Sequence, residues 1–311
     1  MQADISNVKP HILVLGAGEL GLAVLRGLAA RADESASIIV LLRPASVEST
    51  SAIKQKEIAA IRSLGVAIEL ADVTDDSVEA LAAVLGRFDT VISCVGFAAG
   101  RGTQRKLTHA VLAAGVRRYI PWQFGVDYDV IGRGSPQDLF DEQLDVRDLL
   151  RAQSATQWVI VSTGMFTSFL FDPVFGVVDL PGGRVNALGS LETAVTVTTP
   201  KDIGTLTAAI VLHSPPFINQ VVYTAGDTLT YGELADLLER VTGRPFERRA
   251  STVQQLLAQL EENPDDNLRK YRAVFAMGRG VAWDVAQTFN GQHGLGVTPA
   301  EAWARLNLPR G

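Results

Sequence analysis

Short apolar, β-branched runs at residues 12–15, 38–42, 66–70, 90–94, 119–121 and 158–161 alternate with longer segments of helical spacing at 20–30, 51–64, 77–85, 103–114 and 139–152. Strands that read as nearly continuous hydrophobic runs belong in sheets covered by helices on both faces. Strict alternation of the two patterns predicts an α/β fold with a doubly wound parallel sheet. The second half is less regular. A turn is expected at 179–184, then an alternating, strand-like stretch at 192–199. Pro200 and Asp202 mark a helix start, with Asp202 read as the N-cap of a helix over 203–212. A further strand is expected at 221–224. Thr230, with Glu233 three residues on, forms a capping-box pattern opening a helix that runs to Thr242, before Gly243. Another helix is expected over 252–262, ending before Asn263-Pro264.

Composition narrows the class. Of 311 residues, 47% are hydrophobic and 20% charged, enough material for a packed core and unlike a disordered chain. Basic residues number 28 against 34 acidic, a net charge of −6 with no basic run, which argues against an extended nucleic-acid surface. The lone Cys94 rules out an intramolecular disulfide and a cysteine-built metal site, and four scattered histidines offer no ligand spacing, so no metal is expected. The apolar stretch 158–171 is interrupted by Ser162, Thr163, Gly164, Thr167 and Ser168 and is too short to span a bilayer. The opening MQADISNVKP lacks the charged-then-apolar pattern of a leader. A cytoplasmic globular protein is expected, with no nucleic-acid or membrane partner and a homo-oligomer compatible with the composition.

The sharpest motif is G-x-G-x-x-G at Gly16, Gly18 and Gly21, directly after the first strand and opening a helix, with Glu19 and Leu20 inside it. Gly16 permits the tight turn, Gly18 lets backbone approach a pyrophosphate, and Gly21 lets helix and strand pack closely. Free N–H groups at the helix N-terminus would hold the phosphates. At the end of the second strand a site for NAD carries an acid for the ribose 2′-OH. Here the segment is Val40-Leu-Leu-Arg43-Pro44, and a guanidinium suits a 2′-phosphate, so NADP(H) is expected, with Lys54 adding charge. Asp72 after the third strand is read as flanking the adenine. Cys94, Val95 and Gly96 follow the fourth, where backbone passes the cofactor. Residues 1–165 are therefore read as a Rossmann domain. Residues 166–311 are read as a smaller α/β substrate lobe closing a cleft over the nicotinamide end, some of its segments returning to the first domain.

The GAGELG turn, Leu42-Arg43-Pro44, Gln104, the run from Ala113 to Arg118, and Pro121-Trp-Gln123-Phe124-Gly-Val-Asp127 resemble the atypical short-chain dehydrogenase/reductases. More narrowly, they resemble NmrA-like proteins and the isoflavone reductase-like or phenylcoumaran benzylic ether reductase-like enzymes. The similarity continues through Thr199-Pro-Lys-Asp-Ile-Gly204, Leu229-Thr-Tyr-Gly-Glu-Leu234 and Val281-Ala-Trp283. The resemblance implies NADPH as cofactor, reduction of a small aromatic or apolar carbonyl, enone or benzylic ether, and Gln123 and Phe124 as cofactor contacts. It equally admits a non-catalytic NADP(H)-binding sensor, or epimerisation and isomerisation on the same scaffold.

Two departures stand out. The reductases of this group commonly carry G-x-x-G-x-x-G rather than G-x-G-x-x-G. They also carry a lysine in a segment like F-x-x-K-x-x-V-R, where this chain has Phe140-Asp-Glu-Gln143-Leu-Asp-Val146-Arg147. Gln143 can orient a carbonyl by hydrogen bonds but cannot act as a general acid. No Tyr-x-x-x-Lys occurs either. Tyr128, just past the fifth strand, is the candidate proton donor, with Asp127, Asp129, Asp141 and Glu142 nearby. Met165, Phe166 and Phe169 are candidates for a wall that accepts an aromatic substrate.

Overall fold

The computed structural model describes residues 9–32 and 35–309. The chain runs β1 (His11–Leu15), α1 (Glu19–Arg31), β2 (Ser37–Leu42), α2 (Pro44–Val47), α3 (Ala52–Ser63), β3 (Ala67–Leu70), α4 (Val78–Leu85), β4 (Thr90–Ser93), α5 (Thr103–Ala113), β5 (Arg118–Ile120), α6 (Tyr128–Ile131), α7 (Leu139–Arg151) and β6 (Gln157–Ser162). It continues through β7 (Met165–Phe166), α8 (Thr167–Leu170), β8 (Val178–Asp179), β9 (Arg184–Leu188), β10 (Ala194–Thr198), α9 (Pro200–Val211) and β11 (Gln220–Tyr223). The last elements are β12 (Asp227–Thr230), α10 (Tyr231–Thr242), β13 (Glu247–Ser251), α11 (Val253–Glu262), α12 (Asn267–Ala276), α13 (Phe289–Gln292) and α14 (Ala300–Asn307).

Seven strands form one sheet in the order β11-β6-β5-β4-β1-β2-β3. The pairings from β3 across to β6 are parallel, as the β–α alternation predicts. The order reverses direction after β1, which is where open α/β sheets place their ligands. Leu13, Leu15, Val91 and Ile160 lose all solvent contact in the core beneath, each burial stabilising by about 1.5–3 kcal/mol.

The chain separates into two compact units, and neither is a single stretch. The first comprises Met1–Trp122, Asp145–Ile160 and Ile203–Val221; the second comprises Gln123–Leu144, Val161–Asp202 and Val222–Gly311. The first unit recruits most of α9 through two glycines. A Cβ on Gly27 would lie 2.4 Å from the Gly204 carbonyl oxygen, so only glycine lets the helices approach this closely. Arg118, buried at the start of β5, donates to the Val211 carbonyl at 2.6 Å and so satisfies the end of that helix.

The second unit holds two three-stranded sheets, β12-β10-β7 and β13-β9-β8. Thr230 and Glu233 form the expected capping box of α10, which ends at Gly243 with φ +72°. Asp202 is not the N-cap of α9. The helix begins at Pro200, and the Asp202 amide donates to the Thr199 hydroxyl at 3.1 Å while that hydroxyl donates back to the Asp202 carboxylate at 2.7 Å. Thr199 therefore caps the helix with Asp202 in the first turn, where an acid favours the dipole.

Candidate active site

In the first unit a cavity of about 420 Å³ opens over the C-terminal ends of β1, β2 and β4. The three motif glycines divide the work. Gly16 turns with φ +84°, a conformation that costs other residues strain. A Cβ on Gly21 would lie 2.2 Å from the Gly16 carbonyl oxygen, so α1 can start this close to the strand only with glycine there. A Cβ on Gly18 would meet nothing within 4 Å, because this position faces the open cavity. Gly18 caps α1 with no side chain over the helix end, so the first N–H groups of the helix, from Glu19, Leu20 and Gly21, are left to an external anion.

Arg43 lies exposed on the cavity wall and forms no ion pair among the described residues. Lys54, on α3, lines the same cavity with its ammonium 2.7 Å from the Glu57 carboxylate. Asp72 is not among the lining residues. Its carboxylate accepts from the Thr74 amide at 2.9 Å and the Thr74 hydroxyl at 2.5 Å; that hydroxyl first, then the Asp75 amide and the charge of Arg43, hold its pKa below the usual carboxylate range. Its neighbours Ala71, Val73 and Thr74 line the cavity instead. Cys94, Val95 and Gly96 line it, and burial pushes the Cys94 thiol up, leaving it protonated. Gly96 is small for a protein neighbour: a Cβ there would lie 3.0 Å from the Trp122 ring. These residues suit a dinucleotide with an anionic ribose, and the Arg43 guanidinium, which has no close ion pair, is the group that suits a 2′-phosphate.

The candidate chemistry of the second unit gathers around α7. Gln143 has no solvent exposure, and neither Oε1 nor Nε2 of its amide has a hydrogen-bond partner in the protein. Leaving buried polar atoms unpaired costs about 1–3 kcal/mol each, so this amide works against the fold's stability rather than for it. Its backbone carbonyl accepts from Gln123 Nε2 at 2.8 Å. Three residues earlier, the Phe140 ring meets Tyr128 edge-on at 5.0 Å and Tyr271 at 5.9 Å, and Tyr271 meets Phe169 at 6.1 Å. Tyr128 and Phe169 are thus joined through Phe140 and Tyr271. Burial pushes the Tyr271 phenol up to about 12. The Tyr128 hydroxyl lies where a Cβ on Gly125 would be 2.6 Å away. Met165 is buried on β7, paired with Val197, and Phe166 and Phe169 are half-buried.

Gln123 and Phe124, expected at the cofactor, belong to the second unit, where Gln123 holds the Gln143 turn. Asp127 caps α6 and accepts from the Tyr223 hydroxyl at 2.6 Å, which occupies both carboxylate oxygens. Asp141 accepts from the Gly134 amide. Sequence reasoning missed Ser46 and Glu57 in the cavity and Tyr271 in the aromatic wall. The apolar spacing of Ile58 and Ile61 on α3, both lining the cavity, was the available signal that this helix face turns inward. Among the described residues no group of three or more His, Cys, Asp or Glu is placed to hold a metal, and no helix is long and apolar enough to cross a membrane.

Residues 8–287 match the model of the NmrA-like family, and the chain belongs to that family. It is 48% identical to an NmrA-like family domain-containing oxidoreductase of Gibberella moniliformis over 93% of this chain and 95% of that one. It is 29% identical to phenylcoumaran benzylic ether reductase Pyrc5 of Pyrus communis, over 90% and 91%. In fold it is similar to leucoanthocyanidin reductase of Vitis vinifera, solved as a binary complex with NADPH, with a TM-score of 0.76 and 22% identity over 94% of this chain and 97% of that one.

Proposed function

We propose that this protein is an NADPH-dependent reductase of a small aromatic or apolar carbonyl, enone or benzylic ether. The single observation that carries the cofactor half is Arg43, a guanidinium without an ion pair on the wall of a cavity whose floor is the Gly16–Gly21 turn. Relatives named as oxidoreductase and benzylic ether reductase, and a fold neighbour solved with NADPH, support the same reading. When bound, NADPH supplies the hydride. The chain supplies the rest: N–H groups of the Gly18–Gly21 turn hold the pyrophosphate, and Arg43 with Lys54 binds the 2′-phosphate. The Gln143 amide orients the oxygen of the acceptor, Tyr128 donates the proton to the developing alkoxide, and Met165, Phe166 and Phe169 form the apolar wall.

A second reading, a non-catalytic NADP(H)-responsive binding protein, is favoured by the chemistry of Gln143, an amide that cannot titrate at the position where the resemblance to the reductases implies a lysine. Purified protein incubated with NADPH and a panel of aromatic ketones, enones and benzylic ethers separates the two. Oxidation of NADPH with any member supports the reductase. Tight NADPH binding with no oxidation across the panel supports the sensor.

A further inference from the structure

Glu57 enters the nucleotide cavity beside the two cations assigned to the 2′-phosphate, and we infer that it sets how strongly the site separates NADPH from NADH. The inference rests on the NADP(H) reading above. Arg43, Lys54 and Glu57 all line the one cavity, and the Lys54 ammonium lies 2.7 Å from a Glu57 carboxylate oxygen, one turn along α3. Arg43, by contrast, forms no ion pair among the described residues. The cationic end therefore holds one guanidinium with no close ion pair, influenced only at longer range by Asp72, and one lysine already paired with an acid.

A phosphate monoester carries roughly −1.5 to −2 charge near neutral pH. To meet it, the Lys54 ammonium must leave or share Glu57, and the carboxylate left behind repels the phosphate across the same cavity. NADH presents a 2′-hydroxyl instead. A hydroxyl makes no demand on Lys54, and it can donate a hydrogen bond to a carboxylate. Glu57 thus works against NADPH and not against NADH. The acid that NAD-preferring sites place at the end of the second strand is absent there, and α3, the second helix after that strand, brings one into the cavity.

The test is calorimetric titration of NADPH and NADH onto the unmutated chain, Glu57→Gln and Glu57→Leu. The Glu57 side chain is 33% exposed, so neutral replacements leave the core untouched. In both variants NADPH binds about two- to fivefold tighter, the range an exposed ion pair spans, while NADH is unchanged or weaker. The NADPH affinity of the variants also falls more steeply with salt, because both cations now face the phosphate. Unchanged or weakened NADPH binding overturns the inference, as does equal tightening of both cofactors, which would place the effect away from the 2′ group. If the unmutated chain does not prefer NADPH, the parent reading falls and this one with it. A normal preference that neither variant widens overturns the role of Glu57 alone.

Discussion

The glycine turn of the first unit and the start of α7, which belongs to the second unit as far as Leu144, are built from different material. Gly16, Gly18 and Gly21 shape the turn through backbone conformation, close approach and open space, each of which one side chain would spoil. Around the start of α7 the candidate groups are side chains: the Gln143 amide has no hydrogen-bond partner, and Tyr128, Phe140, Tyr271 and Phe169 touch one another through their rings. A backbone-made site constrains sequence to glycine and so announces itself. A side-chain site can be rewritten by one substitution with the fold left standing.

The largest effects should fall on the glycines and should differ in kind. Gly21→Val forces two methyls into the Gly16 carbonyl and is expected to destabilise the protein by more than about 4 kcal/mol, read as loss of soluble, cooperatively melting protein. A Cβ at Gly18 has no protein atom within 4 Å, so Gly18→Val should melt like the unmutated chain while calorimetry detects no NADPH or NADH binding. If Gly18→Val still binds NADPH normally, the phosphate cradle lies elsewhere. Next come the α7 side chains, measured on a substrate that the panel identifies. Tyr128→Phe should lower kcat by more than about a hundredfold, since it removes the proton donor, and Gln143→Ala by about ten- to a hundredfold through lost orientation. An untouched rate in Gln143→Ala would mean that this helix carries no chemistry.

A smaller effect sharpens the contrast. Gln143→Leu replaces an unpartnered buried amide with an apolar side chain of similar volume, and should raise the stability of the cofactor-free protein by about 1–3 kcal/mol. A lower thermal midpoint for Gln143→Leu would show that the amide is satisfied in solution. A stabilising, inactivating substitution is the mark of a residue kept for function rather than for the fold.

The first unit was legible in the sequence because its signals are local and periodic. Strands at 12–15 and 38–42 and the Gly turn each lie within one short window, and so does a clear signal of the second unit, the Thr230–Glu233 capping box. The small sheets of the second unit were not. β13 carries Glu247, Arg248 and Arg249 and is exposed along most of its length, so no apolar alternation marks it, and its partner β9 lies some sixty residues earlier. The alternation that did show, at 192–199, belongs to β10, whose central residues are buried between β7 and β12. Within the cavity, Arg43 could be read from its place at a strand end, whereas Glu57 could not. An acid paired with Lys54 three residues away on a helix reads as an ordinary solvated face until the fold turns that face inward.

The assignment of the cavity to NADP(H) through Arg43 is the claim on which the rest depends, and its effect is modest in energy. Titrating NADPH and NADH onto the unmutated chain and onto Arg43→Ala tests it most directly. The account predicts that NADPH binds at least about tenfold tighter than NADH, roughly 1.4 kcal/mol, and that Arg43→Ala removes most of this difference while leaving NADH affinity almost unchanged. Equal affinities for the two cofactors in the unmutated chain would contradict it.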